Sequence, residues 1–114
     1  MTSIEYRRHD RHDSANLLAY TCRDQQNGIM DQGMGRTLNV SESGILLETY
    51  TPLDTACTIS LSIGFQQQVA EIEGKILYCR PDSKGMFQAG ISFLEIKEPD
   101  LAVLKEFMNK FKGS

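Results

Sequence analysis

The chain has 114 residues and a formal net charge of −3, from 12 lysines and arginines against 15 aspartates and glutamates. That length suits one domain with its own core, and the acidic balance excludes a general DNA or RNA binder, which needs a broad basic face. With 40% hydrophobic and 24% charged residues the chain is globular, which excludes a disordered protein.

Residues 1–13, "MTSIEYRRHDRHD", are polar and charged, with no periodicity and little to bury beyond Ile4 and Tyr6. They read as a flexible N-terminal arm, with the single folded domain over 14–114. They lack the apolar run of a signal peptide, and no later segment approaches membrane-span length. The expectation is a cytoplasmic protein with no membrane insertion. His9 and His12 lie beside Asp10 and Asp13, but an arm gives them no scaffold to fix metal geometry, so no metal site is expected.

"NLLAYTCR" (16–23) is a first strand. "DQQNGIMDQGMG" (24–35) holds three glycines and no sustained apolar face, and reads as turn-rich. "RTLNV" (36–40) is short and strand-like. "GILLETY" (44–50) alternates, bounded by Gly44 and Pro52. "ACTISLSIGF" (56–65) puts Ile59, Leu61 and Ile63 on one face. "VAEIEGKILYCR" (69–80) is a further strand, with Gly74 as a bulge or a close-approach point. "GMFQAGISFLEI" (85–96) is the last. The period then changes. Leu101, Leu104, Phe107, Met108 and Phe111 recur at helical spacing, which predicts a helix over 99–112 with Pro99 at its first position. That stripe is read as docked on the protein's own core.

Cys22, Cys57 and Cys79 are too widely spaced for a metal knuckle and odd in number for a disulfide framework, so reduced, buried thiols are expected. The scattered methionines read as gap-fillers. The sequon Asn39-Val40-Ser41 lacks a secretory context. Both histidines lie in the arm, no serine sits in a nucleophile elbow, and the carboxylates are dispersed. The chain is therefore not read as an enzyme.

Two short stretches remain. Arg7 and Arg11 stand four apart in "RRHDR", and Asn39, Ser41 and Gly44 hold fixed offsets in "NVSESG". Taken singly, one is a solvated charge run and the other a tight turn. In this order, within this strand pattern, they resemble the PilZ domain family of bacterial receptors for cyclic di-GMP. Its pattern is R-x-x-x-R followed by D/N-x-S-x-x-G, and both parts are complete here. The likeness extends through "GRTLNVSESGILLET", "IEGKILYCR", "FQAGISFLEI" and the closing helix, about residues 5–111.

The resemblance implies a mainly β fold: a small antiparallel six-stranded β-barrel of split-barrel type, with a C-terminal α-helix. It implies cyclic di-GMP as ligand and no cofactor. Arg7 and Arg11 are implied as the clamp on phosphate and guanine edges, since a guanidinium offers paired donors where guanine offers paired acceptors. Arg8 is an auxiliary. Asn39 and Ser41 are implied to face guanine donors, with Gly44 leaving room for close approach. Asn39 stands where aspartate is frequent. Tyr6 stands where an arginine accompanies paired ligands, so one ligand per protomer is expected. The reading is a stand-alone receptor, monomer or weak dimer, that reports to an unidentified downstream protein by ordering its arm. The alternative is a protein–protein adaptor in motility or pilus machinery that binds no nucleotide.

Overall fold

The computed structural model describes residues 17–113. The arm 1–13, with Arg7, Arg8 and Arg11, lies outside the described residues. Six strands follow in order: β1 (Leu17–Arg23), β2 (Ile29–Val40), β3 (Gly44–Thr49), β4 (Thr58–Phe65), β5 (Gln68–Pro81) and β6 (Phe87–Phe93). One helix, α1 (Asp100–Gly113), completes the fold. The strands close into an antiparallel barrel in the order β1-β2-β3-β6-β5-β4.

Strict alternation builds the interior. Ile59, Leu61 and Ile63 of β4 are fully buried, as are Ala70 and Ile72 of β5 and Leu47 of β3. Each fully buried Ile or Leu contributes about 1.5–3 kcal/mol over its exposed state. Helix α1 packs against β4 and β5. It buries Val103, Leu104 and Phe107, and the Phe107 and Phe111 rings lie 6.4 Å apart. The expected stripe is present with Val103 added to it. The carbonyl of Pro99 accepts from Ala102 and Val103, so this residue stands at the helix entrance.

One expectation is corrected. Most of 24–35 is strand, since β2 starts at Ile29 and runs twelve residues. Only the connection around Asp24–Gly28 turns. There Asp24 Oδ1 accepts from the Gln26 and Gly28 amides, and Asn27 takes φ 68°. The later glycines have another cause. A Cβ at Gly33 would press on the Tyr20 hydroxyl at 3.2 Å, and one at Gly35 on Leu47 Cγ at 2.8 Å. Neighbouring strands fill the interior at these points, so β2 supplies backbone where an apolar side chain was expected. Gly74 is likewise a close-approach point: a Cβ there would stand 2.6 Å from Ile91 Cγ2.

Candidate functional site

Asn39, Ser41 and Gly44 lie together where β2 turns into β3. The Ser41 amide donates to the Gly44 carbonyl at 2.9 Å. The Ser43 amide donates to Ser41 Oγ at 3.2 Å, and the two serine hydroxyls pair at 3.0 Å. The turn is thus held by its own serines, a general tendency of such residues. Gly44 is required by the neighbouring strand, because a Cβ there would collide with the Ile91 carbonyl oxygen of β6.

Asn39 faces outward because β2 carries a bulge. Thr37 pairs with Leu47 but Asn39 pairs with Leu46, leaving Leu38 as an extra residue. Strict alternation from the buried Thr37 would turn Asn39 into the core and Val40 out of it. The bulge reverses that phase, so Val40 is buried and Asn39 exposed. A second bulge on β5 leaves Leu77 extra, between Ile76↔Ile91 and Tyr78↔Gly90. Leu77 and Tyr78 therefore both face outward, 60% and 38% exposed, while Cys79 turns back toward the core.

The two bulges align one transverse row on the outer wall: Asn39 beside Leu46, Leu46 beside Gly90, Gly90 beside Tyr78. Three interstrand steps of about 4.8 Å separate its ends by about 14 Å. An open cleft of about 330 Å³ lies here, lined by Asn39, Ser41 and Gly44 at one end and by Leu77, Tyr78 and Gly90 at the other, with Leu46 between. A Cβ at Gly90 would collide with the Tyr78 ring, which occupies that space. The Arg80 guanidinium lies over the Tyr78 ring, 4.5 Å from its centroid, a cation–π contact of about 0.5–1 kcal/mol at an exposed site.

The adjacent row is Arg36, Glu48, Gln88 and Arg80. Glu48 is buried, with Arg36 at 3.0 Å and Lys84 at 3.7 Å, so both cations are committed to it. Asn39 Oδ1 accepts from the Val40 amide at 2.9 Å, which uses one lone pair of its acceptor. Among the described residues no group of three His, Cys, Asp or Glu stands close enough to hold a metal.

The structure thus brings Asn39, Ser41 and Gly44 to one cleft. Sequence reading missed Leu46, Leu77, Tyr78 and Gly90. Apolar alternation is blind to a bulge, and counting by twos from Ile76 sends Tyr78 inside.

A model of the PilZ domain matches residues 5–110. The chain belongs to the PilZ domain family. PilZ domains are receptor and adaptor domains, not enzymes, and this PilZ barrel carries the Asn39–Gly44 turn on its outer wall. No curated protein matches it in sequence. Among solved structures it is similar to the Bacillus subtilis inhibitor of motility MotI/DgrA. The TM-score is 0.60 at 14% identity, covering 84% of this chain and 47% of that one. It is also similar to MrkH of K. pneumonia in its apo state, with TM-score 0.56 at 13% identity, covering 86% of this chain and 49% of that one. At such identities the likeness is one of fold. The PilZ chain spans about half the length of each. Among the described residues no helix is long and apolar enough to cross a membrane.

Proposed function

We propose that this PilZ domain is a cyclic di-GMP receptor. The ligand is gripped between Arg7 and Arg11 of the N-terminal segment and the outward-facing turn Asn39–Gly44, with Arg8 as an auxiliary cation. The observation that carries this reading is the bulge at Leu38, which aims Asn39 out of the core and into an open cleft beside Ser41. The chemistry fits: two anionic phosphates call for guanidinium forks, and guanine donors call for the acceptors of Asn39 and Ser41.

Binding falls in the nanomolar-to-micromolar range, roughly −8 to −12 kcal/mol. Arg7→Ala and Arg11→Ala each remove charge-assisted bonds worth about 1.5–3 kcal/mol apiece. Calorimetric titration with cyclic di-GMP, with GTP and GMP as controls, tests the reading. Heat with cyclic di-GMP alone, lost in the double variant, supports it. No heat from the wild type leaves a nucleotide-free adaptor in its place, and full affinity in the double variant removes the arginines from the site. The receptor transmits by fastening its arm to the barrel through the ligand, which creates or hides a surface for a downstream protein.

A further inference from the structure

Two strands are longer than one of their neighbours. Residues 76–81 of β5 run past the end of β4, and residues 29–35 of β2 run past the end of β3. Alternate residues of an antiparallel strand direct their N–H and C=O groups to each side, so each overhang carries backbone groups that its missing neighbour leaves open. The β5 overhang is blunted by the exposed Arg80 and by Pro81, as a cation and a proline blunt sheet edges in general. The β2 overhang has neither. Among the described residues its backbone pairs only with β1. The chain beyond β3 meets it through a side chain, where the Thr51 hydroxyl donates to Asp31 Oδ2 at 3.2 Å. Its one charge is therefore already engaged.

The exposed side chains of this overhang read the same in both directions. Met30 and Met34 are 58% and 51% exposed, and exposed Gln32 stands midway between them. An isologous pair needs such self-complementarity. Antiparallel pairing about a twofold axis at Gln32 sets each Met30 opposite Met34 of the second copy, and the two Gln32 amides opposite each other. Asp31 then lies opposite Gly33 of the second copy, so no like charges face across the seam. Exposed Ala19 of β1, paired with Met34, continues the apolar surface behind it.

We propose that the overhang of β2 pairs with the same overhang of a second copy, joining two barrels edge to edge about Gln32. The seam is short against the area that a stable complex buries, so the dimer is weak and forms with rising concentration. It needs no ligand and stands apart from the receptor reading.

The test is sedimentation of the wild type, Gln32→Lys and Gln32→Glu from about 1 μM to about 1 mM. The wild type should rise from the mass of one chain toward that of two. Each charged variant places like charges directly opposite and should move the midpoint about tenfold or more to higher concentration, while an equimolar mixture of the two should recover it. Directly opposed residues have Cα atoms about 4.5–5.5 Å apart, within disulfide reach. Oxidised Gln32→Cys should therefore give a covalent dimer that the wild type, with its own three cysteines, does not give under the same oxidant. Gln32 is exposed, so these variants leave the core untouched. A single-chain mass for the wild type at every concentration overturns the proposal and leaves the edge to the N-terminal segment or to another protein. A wild-type dimer whose midpoint is unmoved in both charged variants, is not recovered on mixing, or is not captured by Gln32→Cys has its interface elsewhere, which also overturns it.

Discussion

Asn39 has one side-chain oxygen, and the Val40 amide already uses part of it. A carboxylate at this position has two oxygens. It can keep the Val40 bond with one and offer the other to guanine N–H donors. Asn39→Asp is therefore expected to keep or tighten cyclic di-GMP affinity, and Asn39→Ala to weaken it, as calorimetry would show. A large loss with aspartate means that the side chain faces phosphate, where a second negative charge repels. The cysteines behave differently. Burial, with smaller contributions from Asp31 and other nearby acidic groups, pushes the Cys22 thiol up to about 12. Folding favours the protonated thiol, so its contribution to stability is whole below the ordinary thiol value and is lost as pH rises toward that figure. Iodoacetamide at pH 8 should leave Cys22 unlabelled in the folded protein, and peptide mass spectrometry would detect the contrary. The melting temperature should fall on the alkaline side, and less steeply in Cys22→Ala.

Among the elements, the β3–β6 seam depends on Gly44. A side chain there meets the backbone of Ile91, which cannot rotate away as a side-chain tip can. Gly44→Ala should cost about 1–3 kcal/mol of stability by overpacking, visible as a lower denaturant midpoint without ligand. A midpoint equal to the wild type would move the glycine's role from packing to the ligand. The same strands show what a sequence can reveal. β4 was legible because Ile59, Leu61 and Ile63 all point one way and are all buried. Helix α1 was legible from its stripe. β2 was obscure because Tyr20 and Leu47 fill the interior over Gly33 and Gly35, so its own letters carry no apolar alternation. The cleft was half legible. Asn39, Ser41 and Gly44 form a motif of fixed offsets, but Tyr78 and Gly90 reach the cleft only through the bulge at Leu77 and the pairing of β5 with β6. Those are facts of strand register, which local composition does not encode.

For the whole molecule, the arm's composition sets the expected switch. Residues 1–13 hold little beyond Ile4 and Tyr6 that burial could use to offset ordering entropy. On the proposed reading, ligand phosphates bound on the barrel would give Arg7 and Arg11 that offset. Amide hydrogen exchange over residues 4–13 should slow on saturation with cyclic di-GMP. Amides that are protected beforehand and unchanged afterwards would make the segment a fixed part of the fold.

Closure of the barrel adds a mechanical consequence. Every strand has a hydrogen-bonded neighbour on each side, although residues 29–35 of β2 and 76–81 of β5 extend beyond one of theirs. Sliding one strand by a single residue would turn its core-facing side chains to solvent, and in a closed hoop its neighbours on both sides would have to re-register with it. Such a ring is an anvil and not a spring. It can hold a ligand in place, but it has no low-energy way to pass a deformation through its own wall. On the proposed reading, a partner would answer to side chains laid on the outside of the hoop.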